Sequence, residues 1–257
     1  MPALVRSPDG TEIAYDVVGE GRPVIVIGGA FNTRLSPYPL VSLLGEQFSV
    51  VSFDRRGRGD SRDAATYAVE REVEDVAALI GAIGGPAMIY GHSSGAILAL
   101  ESAAAGLPVS KVAAFEPPYT TQPGSAVADG GVVDALDAGD PELAAERFMR
   151  LTGMDDNAIQ WITGAPFWAG MVATAPTLRY DLALAGDGVL PSDRFAVISV
   201  PTLAIDGGAS PEWASRASDA LVAAVPRASR VTIEGQNHAV DQGILAPVLI
   251  EFFSAPH

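Results

Sequence analysis

The chain of 257 residues contains no cysteine. Disulfides, thiolate metal sites and thiol nucleophiles are thereby excluded. Histidine is scarce as well: His92, His238 and His257 are the three. Any imidazole chemistry must come from one of them. Basic residues are outnumbered by acidic ones, 16 against 31, for a formal net charge of −15. That balance argues against nucleic acid and against anionic membrane surfaces as partners. No apolar run approaches the roughly 20 residues that a membrane-spanning helix needs. The opening residues, Met1 to Gly10, lack the apolar stretch of a signal peptide. The expectation is a cytoplasmic protein acting on a small molecule, with a homodimer left open.

What is present is a large supply of core. Hydrophobic residues make up 48% of the chain, ample for one sizeable α/β domain. Strand and helix patterns alternate from the start. Leu4 to Ser7 and Thr11 to Val18 read as a hairpin about Pro8-Asp9-Gly10. Pro23 to Ile27 is a β-branched run suited to a strand buried on both faces. Phe48 to Phe53 is the next strand. Val69 to Ile83 has helical spacing, with Val73, Val76, Ala77 and Ile80 on one face. Ala87 to Tyr90 and Val112 to Phe115 read as further strands. The alternation stops near Glu116 and resumes at Val200 to Ile205, followed by a helix, the strand Arg230 to Ile233 and a last helix. Repeated β-α units imply a mostly parallel sheet with helices on both faces. The interruption reads as a helical insertion over the strand ends.

One pentapeptide carries the chemistry. Gly91-His92-Ser93-Ser94-Gly95 lies between the strand ending at Tyr90 and a helical stretch from Ala96 to Ala105. Gly-x-Ser-x-Gly in a strand–turn–helix context is a nucleophile elbow. Its glycines leave room for a sharp turn that lifts the Ser93 hydroxyl above the sheet edge. A serine hydroxyl is a weak nucleophile at neutral pH and needs a base, which in turn needs an orienting partner.

With these landmarks the chain resembles an α/β-hydrolase over nearly its whole length. The Gly28-Gly29 turn, the loop Asp54-Arg55-Arg56-Gly57-Arg58-Gly59-Asp60-Ser61, the elbow and the loop Gly235-Gln236-Asn237-His238 match in order. The resemblance implies an eight-stranded, mostly parallel core from residues 1–118 and 193–257, with a helical cap at 119–192. It makes His238 the base, because this family keeps its base after the last strand. It implies an oxyanion hole from the Ser94 amide and a second amide of the turn after the third strand, Ala30 ahead of Gly29. The Arg-rich loop is no phosphate cradle, since the Gly-Lys-Ser/Thr ending of a Walker loop is missing. In the resembling family it is a structural turn and pocket wall.

The acid departs from the common pattern. Most members carry an Asp after the seventh strand, where this chain has Ser210. Glu116, directly after the sixth strand and before Pro117-Pro118, is the leading replacement. Fungal hydrolases of resorcylic macrolactones are similar on this point. Asp206 and Asp241 are the alternatives. Phe31, Tyr119, Trp161 and Trp168 are candidates to line the substrate pocket, the last two in an aromatic group of the cap with Phe167, beside Met171. The expected activity is hydrolysis of a carboxylic ester or lactone of a moderately hydrophobic small molecule, with no metal and no organic cofactor. The alternatives are a perhydrolase, lyase, cyclase or C–C-cleaving enzyme on the same scaffold, or a non-catalytic binding protein, a reading motivated by the missing Asp at Ser210.

Overall fold

The computed structural model describes residues 1–119 and 129–256. His257 and the first residues of the expected insertion lie outside them. Eight strands form one sheet: β1 (Ala3–Arg6), β2 (Glu12–Val18), β3 (Pro23–Ile27), β4 (Ser49–Phe53), β5 (Ala87–His92), β6 (Val109–Phe115), β7 (Thr202–Gly207) and β8 (Ala228–Ile233). Their spatial order is β1-β2-β4-β3-β5-β6-β7-β8. β2 runs antiparallel to both its neighbours, and every other pairing is parallel. The helices of the β-α units are α1 (Tyr38–Leu44), α2 (Val69–Ile83) and α3 (Ser94–Ala104). Between β6 and β7 come α4 (Val132–Asp137), α5 (Pro141–Leu151), α6 (Asp156–Thr163), α7 (Trp168–Thr174), a 3₁₀ turn (Ala175–Thr177), α8 (Leu178–Ala185) and α9 (Ser192–Phe195). α10 (Glu212–Ala224) and α11 (Gln242–Ser254) complete the chain.

The period-two geometry of a strand explains the two layers of core. In β3, Ile25 and Ile27 join one buried cluster, with Val76 and Leu79 of α2, Ile97 and Leu100 of α3, and Leu221 of α10. Val24 and Val26 point the other way, into a cluster with Leu40 and Leu44 of α1 and Leu245 and Leu249 of α11. Each such side chain contributes about 1.5–3 kcal/mol by leaving water. β6 alternates likewise, Val112 and Ala114 to the first cluster, Ala113 and Phe115 to the second. A third, smaller cluster unites Val132, Ala135, Ala144, Ala145, Ala175 and Leu178 of the helical segment with Ala30 and Phe31 of the core. This contact brings the helical segment to the carboxyl end of β3, beside the elbow.

β6 reaches further toward its N-terminus than its apolar run does. Lys111 is buried within it, and Nζ donates to the carbonyls of Phe252 at 2.8 Å and Ala255 at 2.5 Å. The ammonium thus satisfies the open carbonyls at the end of α11, where positive charge is favoured.

Candidate active site

The elbow is built by backbone constraint. Ser93 adopts φ 56°, ψ −124°, a conformation that costs an L-residue on the order of 1–3 kcal/mol. Its N–H donates to the Phe115 carbonyl at 2.9 Å, tying the turn to the end of β6. The flanking glycines make the turn possible. A Cβ on Gly91 would overlap the backbone of Gly95 and Ala96, and one on Gly95 would overlap the Ile27 carbonyl. β3, β5 and α3 therefore approach one another at a distance only glycine permits.

Glu116 follows β6 directly and is fully buried. Its backbone is also left-handed, at φ 45°. Its Oε2 lies 2.6 Å from His238 Nδ1. Oε1 accepts from the Gly207 amide at 2.8 Å and from the Ser210 hydroxyl at 2.6 Å. Burial works against the charged carboxylate, but the hydrogen bonds from His238, Ser210 and Gly207 overcome it. The carboxyl is held below its ordinary value. With Nδ1 engaged by Glu116, Nε2 is the His238 nitrogen left to take a proton.

Asp206 and Asp241 are occupied elsewhere. Asp206 forms a two-pronged pair with Arg230, at 2.7 and 2.9 Å, and accepts from Thr232. Asp241 caps α11 by accepting from the amides of Gly243 and Ile244. Of the three carboxylates, Glu116 is the one in contact with the His238 ring.

Two contacts of His238, with Trp213 and with His92, are not signalled by any sequence motif. The Trp213 ring meets the imidazole at 5.8 Å in an edge-to-face arrangement. Its only sequence signal is its place just after the Ser210-Pro211 turn. His92 lies with its Nε2 2.8 Å from the His238 carbonyl oxygen. A carbonyl only accepts, so His92 carries its proton on Nε2. The His92 ring stacks on Phe115, 5.4 Å between centroids. Burial, and then the nearby His238, push its pKa down to about 4, so it is neutral at neutral pH.

The turn after β3 packs against Ser93. A Cβ on Gly29 would stand 2.9 Å from Ser93 Cβ and 3.0 Å from the His92 carbonyl oxygen. The Ala30 carbonyl accepts from Asn32 Nδ2 at 2.9 Å. Ser94 opens α3, so its amide belongs to the first turn, whose N–H groups have no partner within the helix. Ala30 and Ser94 therefore both lie next to Ser93 in the chain or across the turn.

The aromatic candidates divide. Phe31 sits at φ 63° and meets Phe148 of α5 edge to face, 5.6 Å between centroids. Trp168 packs on the cluster shared by the helical segment and the Ala30–Phe31 turn. Tyr119 is 2% exposed and lies in the core against Phe195, on the α2–α3–α10 side of the sheet. Trp161 is 69% exposed, beside Phe167 on the outside of the helical segment. Phe31 and Trp168 thus pack against one and the same cluster. The structure places Tyr119 in the core and Trp161 toward solvent.

Among the described residues there is no group of three or more His, Cys, Asp or Glu arranged to hold a metal ion. No described helix is long and apolar enough to cross a membrane.

The model of the alpha/beta hydrolase family matches residues 23–243, which includes the elbow, Glu116 and His238. The chain belongs to the alpha/beta hydrolase family. A solved alpha/beta hydrolase from Sphaerobacter thermophilus is 44% identical, over 98% of this chain and 100% of that one, with a TM-score of 0.92. An esterase of Rhodococcus sp. ECU1013 shares the fold at 20% identity, TM-score 0.77, over 99% and 98% of the two chains. A putative non-heme bromoperoxidase of Mycobacterium tuberculosis is 37% identical over 93 residues. That match spans 35% of each chain, about a third of the length of the curated relative.

Proposed function

We propose that this alpha/beta hydrolase is a serine hydrolase that cleaves a carboxylic ester or lactone of a small, moderately hydrophobic molecule. The observation that carries the reading is the 2.6 Å contact between Glu116 and His238 in a chain whose elbow presents Ser93. Ser93 Oγ attacks the carbonyl carbon while His238 Nε2 takes its proton. Glu116 keeps the imidazole in the tautomer with a proton on Nδ1 and stabilises the imidazolium as it forms. The amides of Ala30 and Ser94 receive the charge that develops on the carbonyl oxygen. Collapse expels the alcohol, which takes the proton from His238. Water, deprotonated by the same imidazole, then releases the acid from Ser93.

The helices between β6 and β7 act as a cap in this reading, with Phe31 and Trp168 offering apolar surface to the substrate. A non-catalytic role drew its support from the absent Asp at Ser210. A buried carboxylate on His238 takes that support away.

A second acceptor has a specific observation in its favour, the local likeness to a putative bromoperoxidase. Hydrogen peroxide in place of water would release a peracid from the same acyl-enzyme. Incubation with acetate or a short ester and peroxide, with peracid as the readout, separates the two.

The test of the main reading is intact-mass labelling with a small fluorophosphonate, on the native chain and on Ser93→Ala. One adduct on the native chain, absent from the variant, together with turnover of short-chain esters or lactones, is the expected result. A folded native chain that takes no adduct and hydrolyses none of them sinks the proposal.

A further inference from the structure

Next to the elbow, in contact with the Ser94 hydroxyl, lies a buried set of charges that the triad does not use. Arg55, Arg58, Glu72 and Asp181 are each at most 3% exposed. Two guanidinium groups face two carboxylates, so the set is neutral. Glu72 on α2 takes Arg55 in two contacts of 2.6 Å and also accepts from the Tyr67 hydroxyl at 2.8 Å. Asp181, on α8 of the helical segment, is the hub. Its Oδ1 accepts from Arg55 at 2.8 Å and from the Ser94 hydroxyl at 2.6 Å, and its Oδ2 accepts from Arg58 at 2.7 Å. Burial opposes ionisation of Asp181, and Arg58 and Arg55 overcome it, holding the carboxyl below its ordinary value.

Two of these contacts end on the segments that carry the oxyanion amides. The first is the Ser94 side chain. The second is the bond from Arg58 Nη1 to the Gly29 carbonyl oxygen, 2.7 Å long. That carbonyl and the Ala30 N–H belong to one peptide unit. The unit is planar and trans, so its C=O and N–H point in opposite directions and turn together. A guanidinium on the Gly29 oxygen therefore fixes the direction of the Ala30 N–H. It also draws electron density toward the oxygen, which makes the N–H a stronger donor. Arg58 is itself held, by Thr177 Oγ1 at 2.9 Å as well as by Asp181.

We propose that Arg58 and Asp181 are positioning residues for the oxyanion hole, with Asp181 fixing both donor segments from the helical segment above them. The inference rests on the serine-hydrolase reading and adds to it. Neither residue touches substrate. Their effect reaches the reaction through the Gly29–Ala30 peptide and through Ser94. A purely structural network would hold the helical segment to the core and change stability alone.

The experiment compares Arg58→Lys, Asp181→Asn and Ser94→Ala with the native chain, on one short-chain ester. It reads kcat and KM separately, melting temperature, and the affinity of an alkyl boronic acid that mimics the tetrahedral intermediate. Lysine keeps the charge but cannot span Gly29, Thr177 and Asp181 together. Loss of one oxyanion donor costs about 10²–10³ in kcat. Misdirecting the Ala30 amide is therefore expected to lower kcat by about 10–100-fold, with KM within about twofold and boronate affinity falling alongside kcat. Ser94→Ala removes a single hydroxyl, folds without a buried charge imbalance, and is expected to show a smaller loss of the same kind. Variants that melt earlier but keep native kcat and boronate affinity overturn the inference. If Arg58→Lys and Asp181→Asn do not fold, native kcat in Ser94→Ala overturns it. A native chain that takes no fluorophosphonate and turns over no ester sinks the hydrolase reading and this inference together. A labelled, active native chain with unimpaired variants sinks this inference alone.

Discussion

Ser210 donates its hydroxyl hydrogen to Glu116 Oε1 across 2.6 Å, from the loop position where the resembling family most often carries the acid itself. The site that could have held the carboxylate instead supports one that arrives from the neighbouring strand. Removing that hydroxyl in Ser210→Ala leaves Glu116 with His238 and the Gly207 amide. A hydrogen bond to a charged group is worth about 1.5–3 kcal/mol, and only part of it bears on the orientation of His238. A fall in kcat of about 3–30-fold is expected, with little change in KM. Steady-state kinetics on one ester check it, and an undiminished kcat would remove Ser210 from the account.

Glu116→Gln keeps the size of the side chain but cannot stabilise an imidazolium. In serine hydrolases of another fold, the matching acid-to-amide change lowers kcat by about 10⁴. A loss of about 10³–10⁴ is expected here, with the fold preserved by circular dichroism. Asp206→Asn and Asp241→Asn, whose carboxylates serve Arg230 and the start of α11, should leave kcat within a few-fold of native. A large loss in either of these, with none in Glu116→Gln, would move the acid.

His92 gives the fold a specific sensitivity to acid. In the native chain its pKa lies at about 4, against 6.5 for the free group. The unfolded chain therefore takes up this proton first as pH falls. Stability is lost between about pH 6.5 and 4, and the loss from this group levels off below that. His92→Gln retains a donor for the His238 carbonyl and does not titrate. Its melting temperature should fall less steeply than that of the native chain over that window. Parallel curves from thermal unfolding at several pH values would refute the assignment.

Gly91→Ala should be among the most damaging single changes. The added carbon overlaps the backbone of Gly95 and Ala96, and no flexible side chain is available to yield. A loss of at least about 3 kcal/mol is expected, since backbone must shift where β5 meets α3. Chemical denaturation measures it. Gly81→Ala, on the surface of α2 with open space around it, serves as the control and should be neutral or stabilising.

Much of this architecture is legible in the chain. The helical spacing over Val69 to Ile83 coincides with α2. β6 was half visible, because Lys111 breaks the apolar run and its justification, the end of α11, is remote in sequence. The elbow and His238 are local motifs and stood out. Glu116 leads Asp206 and Asp241 on its place after the sixth strand, but which carboxylate meets the imidazole is a matter of the folded chain, where Glu116 Oε2 lies 2.6 Å from His238 Nδ1. Asp181 gave no signal at all. It is a lone acid on the short, mostly apolar α8, and its meaning comes from two arginines of the β4–α2 loop, far away in sequence. The aromatic candidates show the limit of composition: Trp161 and Tyr119 are the same class of residue, yet one faces water and the other the core.

Glu116 directly follows β6, the strand that pairs with β5, so the proposed nucleophile and acid are carried by one continuous β5–α3–β6 unit. The 2.9 Å bond from the Ser93 amide to the Phe115 carbonyl locks the two together within that unit. The whole helical segment enters the chain after both are in place. Apart from Asp181 and Thr177, its length and composition can drift, and with them the shape of the pocket, without altering the spacing of Ser93 and Glu116. The docking of the His238 loop has also to be kept, and Glu116, His92 and Trp213 are among the contacts that keep it. In the proposed mechanism an acid directly after β6 thus frees the Ser93–Glu116 spacing from the helical segment, whose ties to the site run through Asp181 and Thr177 and whose other residues are left to diversify.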